Sequence, residues 1–372
     1  MSPSGPVATA ADYLQRLPAA ARAAASADTA RGEILLGLSV AIVLLAAWGI
    51  ARWGVLDRIR ERLKVVGRPR WVADAVCGAA AIGLVALALT PLTLVAAGPM
   101  ALPALIEALR QDAVWALLGA IAAPLIYGLM RSLPRAWALV LGGLAAVSIF
   151  TAVWLPFAQA SGPAFLPPAP AGAARDGLMR LIAETRLPAA DVYVTANTAM
   201  DADVTGLGAA RVTVSRGLWD VASPQELRAS IGHLMGHYVH HDQLSIALML
   251  AALAFGLFLA AKAVFAPAAR LLGLPADIAN PAGAPALIAA AALYLSLAVI
   301  ADHALIRWIN VRADQYSLDH AREPDGLAAA LLHEWRGEDP NPSPLQEALF
   351  YDHPALKSRL VHAMSWKAAH PG

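Results

Sequence analysis

Six stretches of this chain are long and apolar enough to cross a bilayer, and that pattern limits the fold more than any motif does. A spanning helix needs about 20 mostly apolar residues, because without water its backbone hydrogen bonds must close internally. Ile34 to Ile50 carries no charge and is bracketed by Glu33 and Arg52. The next uncharged run goes from Ala75 to Ile106, broken by Pro91, Gly98-Pro99 and Pro103, so its spanning part is Ala75 to Ala97. Ala113 to Met130, Ala136 to Ala160, Leu244 to Ala261 and Ala282 to Ala301 complete the set. Six such runs are too many for buried helices of one soluble core.

Composition agrees. Only 15% of the 372 residues are charged and 58% are hydrophobic, against about 25% charged in soluble domains. Disorder, coiled coil and collagen are excluded on the same grounds. A net charge of +1 exerts no global pull on nucleic acid, and no nucleic-acid or nucleotide-binding motif is present. The lone cysteine, Cys77, forms no intrachain disulfide. Trp48, Trp53, Trp71, Trp154 and Trp308, near span ends, fit an interfacial aromatic belt. The first span starts too far along the chain, behind too few basic residues, to be a cleaved signal peptide. Met1 to Ala30, rich in Ala, Ser and Pro, is expected to be loosely ordered.

Between the first two spans stand Arg52, Arg58, Arg60, Arg62, Lys64, Arg68 and Arg70 against only Asp57 and Glu61. The positive-inside rule puts this loop in the cytoplasm, where it suits anionic lipid, and counting spans then puts the segment after the fourth span outside. A multi-pass protein of a bacterial-type inner membrane, or its equivalent, is the expected location.

The chain divides into an N-terminal segment (1–33), a four-span region (34–160), a more polar part (171–242), two further spans (243–301) and a C-terminal region (302–372). A Pro-rich linker, 161–170, precedes the polar part. There, Leu178, Leu181 and Ile182 share one helix face, and Asp191–Thr195 and Ala210–Ser215 alternate like a pair of strands. Thr205-Gly-Leu-Gly208 supplies a turn between them. Ser223-Pro-Gln-Glu226 reads as a helix start, with Ser223 as N-cap, Pro224 in the first position and Glu226 closing a capping box. That helix is expected to run on into the fifth span. It places His233 and His237 four apart on one face, the spacing of two zinc ligands. Alone, such a pair is more often a surface or core pair than a metal site.

The surrounding residues raise the signal. Gly232-His-Leu-Met-Gly236-His-Tyr238 resembles the zinc helix of the CAAX prenyl endopeptidases, integral-membrane HExxH metallopeptidases whose pattern is GHExGHY. Asp191-Val-Tyr-Val194 and Val204-Thr-Gly-Leu-Gly208 resemble that family's strands and turn, although Asp201-Ala202 stands where the family has Asn-Ala. Arg307-Trp-Ile-Asn310-Val-Arg-Ala-Asp314 resembles its R-x-x-E-x-x-A-D helix, and His353-Pro354 with Arg359 its H-P-x-x-x-x-R signature. The resemblance covers about Ala171 to Arg359. It implies a mostly α membrane protein of about six spans with a small α+β, gluzincin-like metallopeptidase part. It further implies one zinc ion, bound by His233, His237 and position 310. Asp314 would orient a zinc histidine, His353 and Arg359 would complete the site, and a peptide or prenylated membrane protein would be the partner. The resemblance also favours a cytoplasmic site, contrary to the charge count.

Two positions break the pattern. Leu234 stands where the general-base Glu belongs and cannot take a proton from water. Asn310 replaces the third-ligand Glu, and a neutral amide is a poorer zinc donor than a carboxylate. The expectation is a catalytically impaired homologue, a peptide- or partner-binding pseudopeptidase. The alternative is an active peptidase whose site is rebuilt from Asp314, His303, His240 or His241. Blander readings are that His240, His241 and Asp242 form a polar collar, that His353-Pro354 is a turn opening the last helix, that Arg307 snorkels, and that Arg359 pairs with a surface acid.

Overall fold

The computed structural model describes residues 9–97, 101–159 and 166–371. The expectations for residues 1–8, Gly98-Pro99, Ala160 and the first half of the linker lie outside these. The helices are α1 (Ala10–Arg16), α2 (Ala19–Arg52), α3 (Val55–Val65), α4 (Arg70–Ala97), α5 (Ala101–Ser132), α6 (Trp137–Gln159) and α7 (Ala173–Thr185). Then come β1 (Ala189–Thr195), β2 (Ala202–Thr205), β3 (Ala210–Ser215), α8 (Arg216–Val221) and α9 (Pro224–Val239). The chain ends in α10 (Asp242–Leu271), α11 (Ala284–Ala321), α12 (Pro324–His333), α13 (Pro344–Phe350) and α14 (Leu356–Ala369).

The six spans predicted from the sequence are α2, α4, α5, α6, α10 and α11. Only 6% to 28% of the most apolar window of each is buried inside the protein. Ile34, Leu45, Leu125, Leu144 and Leu297 therefore stand exposed, on surface that only lipid can cover without a large hydrophobic penalty. The protein is a multi-pass integral membrane protein. Helix α11, 38 residues long, reaches about 57 Å at 1.5 Å per residue. That is roughly twice the hydrocarbon thickness of about 30 Å, so its polar second half need not lie in hydrocarbon.

The described residues form two compact units. One comprises 32–148 and 251–299. In it the carboxylate of Asp74 is buried and pairs with Arg131, and Trp137, Tyr127 and Met130 form an apolar cluster. The other comprises the described residues of 1–31, 149–250 and 300–372, and it holds every candidate site residue.

In this second unit the two predicted strands are joined by a third. The order is β1-β3-β2, with β1 parallel to β3 and β2 antiparallel to it. The turn at Gly206–Gly208 thus links β2 to β3, and the predicted strand pair is a parallel one. Val192, Val194, Val204, Val212 and Val214 point to one face and pack with Leu178, Leu181, Ile182, Leu227, Ile231 and Met235 of α7 and α9. The end of the linker is not loose either. Ala169 donates its N–H to the Val192 carbonyl at 2.8 Å, and Val194 donates to Pro167 at 3.1 Å. The N-terminal segment also departs from expectation. Thr9 caps α1 through a capping box, and Tyr13 and Leu17 are buried with Leu327, Leu331 and Leu360. Apolar contacts to α12 and α14, distant in sequence, order a segment whose composition alone reads as loose.

Helices α9 and α11 pack closely enough to exclude a methyl group between them. A Cβ on Gly236 would lie 2.9 Å from the Ala313 Cα and 3.0 Å from the Tyr316 Cβ. Nearby, Ser317 donates its hydroxyl to the Ala229 carbonyl at 2.7 Å. Gly236→Ala should destabilise the protein by about 1–3 kcal/mol through overpacking, read as a lower unfolding temperature in detergent. Gly177→Ala, in α7 with nothing beyond its own helix within 4 Å of the new Cβ among the described residues, should instead stabilise by about 0.5–1 kcal/mol. Equal shifts at the two sites would refute the close-packing argument.

Candidate functional site

Helix α9 starts as the sequence predicts. Ser223 Oγ accepts from the Glu226 N–H at 3.3 Å, Glu226 Oε2 accepts from the Ser223 N–H at 2.9 Å, and Pro224 holds the first position. Its end differs from expectation. The helix stops at Val239 instead of running into the span, and His241 takes a left-handed φ of 55°. A new helix begins at Asp242. The break turns Asp242 back toward α9, where its Oδ2 accepts from His237 Nδ1 at 2.8 Å while Arg312 pairs with its other oxygen. At 1% exposure, Asp242 is a buried anchor and no part of a polar collar. The sequence suggests only a collar role for Asp242 and singles out nothing at Arg312, because the contact depends on the positive φ at His241.

His233 is held in the same way from the other side. Its Nδ1 lies 2.7 Å from Asp314 Oδ1. Asp314 also receives both arms of Arg359, Nε to Oδ2 and Nη2 to Oδ1, each at 2.7 Å. Arg359 therefore serves a buried carboxylate and no surface acid. Each imidazole donates Nδ1–H to a carboxylate, which fixes its tautomer and leaves Nε2 as the free acceptor. Burial pulls the His233 pKa down to about 4 against the opposing pull of Asp314, so the ring is neutral at pH 7. The two Nε2 atoms face each other at 3.0 Å.

Two nitrogens bound to one tetrahedral zinc at 2.0–2.1 Å lie about 3.3 Å apart, so the pair suits two of a metal's ligands. The third position fits less well. Asn310 is 3% exposed and donates its amide N–H to the Ile306 carbonyl one turn back at 2.9 Å. The oxygens of Asp314 are already engaged. His240 packs edge-on against Tyr316 at 5.8 Å, and His303 Nδ1 is buried with no partner among the described residues. Among the described residues no group of three His, Cys, Asp or Glu side chains is placed to hold a metal. Leu234 packs against the apolar cluster of the sheet.

A cavity of about 1130 Å³ opens over this arrangement, lined among others by His233, Leu234, His237, Asn310, His353 and Arg359. All of the predicted site residues except Asp314, which stands behind His233, therefore border one chamber. His353 bonds through Nδ1 to Asp352 Oδ1 at 2.9 Å, and this contact pulls the Asp352 carboxyl down to about 2. Pro354 precedes α14 by two residues and does not open it. Arg307 caps neighbouring backbone, donating to the carbonyls of Tyr351 and Ala348, and does not snorkel.

The family model described as Peptidase family M48 matches residues 168–367. The whole fold is similar to the crystal structure of S. mikatae Ste24p, with a TM-score of 0.50 and 14% identity over 88% of this chain and 98% of that one.

Proposed function

The chain belongs to peptidase family M48, and on that premise we propose that it is a membrane-embedded pseudopeptidase that binds a peptide or a lipidated protein segment without cutting it. One observation carries the reading: the two carboxylates that hydrolysis requires are missing from around an otherwise ordered histidine pair. Leu234 offers no proton acceptor, and the amide of Asn310 is tied to its own helix. When bound, zinc would act as a Lewis acid toward a carbonyl or a water. In this reading His233 and His237 would hold it, with Asn310 a weak third donor. Asp314 and Asp242 orient the two rings, and Arg359 neutralises Asp314. With both Nε2 atoms on the zinc, neither ring would be free to take a proton from a water, and Leu234 supplies no carboxylate in their place.

The opposing reading, an active peptidase with a rearranged site, draws support from the intact carboxylate behind each histidine. Mass spectrometry separates the two. A mixed peptide library incubated with the purified protein in lipid nanodiscs should be recovered intact. New termini that disappear with chelator and with His233→Ala would overturn the pseudopeptidase reading.

A further inference from the structure

Independently of the peptidase reading, we infer that the unit of 32–148 and 251–299 holds an anionic phospholipid at a fixed site. An acyl chain lies in a cleft between α2 and α4, and arginines at the end of α2 and along α3 hold the phosphate. The cleft has a volume of about 330 Å³. Leu45, Trp48, Gly49, Trp53, Val55 and Leu84 are among the residues bordering it, and every one that does so is apolar. Leu45, Trp48, Trp53 and Leu84 are exposed, so the cleft opens on the lipid-facing surface. Gly49 shapes it. A Cβ there would lie 3.2 Å from Trp53 Cζ3, so the bare backbone lets the indole fold back over the last turn of α2. Water in such a cleft finds no polar partner, and a peptide would bring N–H and C=O groups that the cleft cannot satisfy. Hydrocarbon meets neither cost.

The charges beside the cleft select the headgroup. Both acids of the basic stretch are already taken: Asp57 pairs with Arg60, and Glu61 with Arg60 and Lys64. Arg52, Arg58 and Arg62 are exposed, and among the described residues none of them forms an ion pair. Arg52 directly precedes Trp53. Arg58 and Arg62 follow Val55 along one stripe of α3, at helical spacing. The opposite face of α3 is committed to the protein, with Leu56 buried among Ile50, Cys77 and Ala81 and Ile59 packed against them. Depth agrees: Val65, Val66 and Trp71, where α3 meets α4, are large, apolar and exposed, which suits a helix lying in the headgroup layer. A guanidinium offers a phosphate two parallel donors. Snorkelling arginines alone would account for the charge and leave the cleft unexplained, whereas the cleft alone would take any acyl chain. Their adjacency specifies an anionic lipid.

Native mass spectrometry of the full-length protein in a mild non-ionic detergent tests this. Dioleoylphosphatidylglycerol should bind as a single saturable lipid, at least about tenfold tighter than dioleoylphosphatidylcholine. The two carry the same acyl chains, so the difference reads the headgroup. Arg58→Gln with Arg62→Gln should lower the phosphatidylglycerol affinity about tenfold and leave phosphatidylcholine unchanged. Leu84→Trp, which fills the cleft at a residue already exposed, should weaken both lipids at least about threefold. Excess inorganic phosphate should not displace the bound lipid. The comparison of the two lipids needs no variant, so a misfolded mutant leaves the test intact. Equal affinities, graded uptake with no saturable first lipid, displacement by phosphate, or phosphatidylglycerol binding that neither variant weakens overturns the inference.

Discussion

On the pseudopeptidase reading, Leu234→Glu combined with Asn310→Glu should give the protein a chelator-sensitive peptidase activity absent from the unaltered chain. Each substitution supplies a different part of one mechanism. The first places a carboxylate one residue after His233, on the helix face from which a base reaches a metal-bound water. General-base catalysis is typically worth 10²–10⁴-fold, on the order of 3–5 kcal/mol. The second supplies a charged third ligand on α11. Because Asn310 is buried, a carboxylate there is destabilising unless a cation compensates it. The Asn310→Glu protein should therefore melt at a higher temperature with zinc than without it, as linkage demands of anything that binds only the folded state. Parts of one mechanism are not additive, so either single variant should gain little turnover. Elemental analysis of metal content and a peptide-cleavage assay check both points. A double variant that is folded, loaded with zinc and still inert would mean the scaffold has lost alignment as well as its carboxylates.

Arg359→Met should be the most destabilising single change in the site, by about 3–5 kcal/mol. The side chains of Arg359 and Asp314 are 11% and 2% exposed, and the guanidinium donates to both carboxylate oxygens. Removing the cation leaves a buried carboxylate whose remaining partner is the neutral His233 ring. Desolvation that the pair shares then falls on one charge. Asp314→Asn added to Arg359→Met should recover much of the loss, since an uncharged amide can still accept from His233 Nδ1. Urea unfolding of the detergent-solubilised single and double variants measures the cycle. A loss below about 1 kcal/mol for the single variant would place Asp314 in effective contact with water and remove the argument that it holds His233 rigidly.

Much of the molecule was legible along the chain because the forces concerned are local. A span must close its own hydrogen bonds and present apolar surface all round, so each of the six announces itself within its own residues. The start of α9 is equally local: Ser223, Pro224 and Glu226 settle it within one turn. Alternation did not show the four-residue strand β2, which only the family resemblance at Val204-Thr205 touches. It is too short for that pattern, and it exists because β3 offers an edge to pair with. Nor was the order of the N-terminal segment legible, which depends on apolar contacts made by Tyr13 and Leu17 some 300 residues away in sequence.

The candidate site divides in the same manner. Sequence by itself determined the i,i+4 histidine pair on one helix face, because helical spacing decides it, and the apolar side chain at Leu234 and the amide at Asn310, which are read directly. Only the tertiary structure decided what stands behind the histidines. The left-handed turn at His241 swings Asp242 under His237, and the packing of α14 carries Arg359 onto Asp314. Both contacts join side chains whose meeting depends on how separate helices are aimed, and no local periodicity encodes that direction.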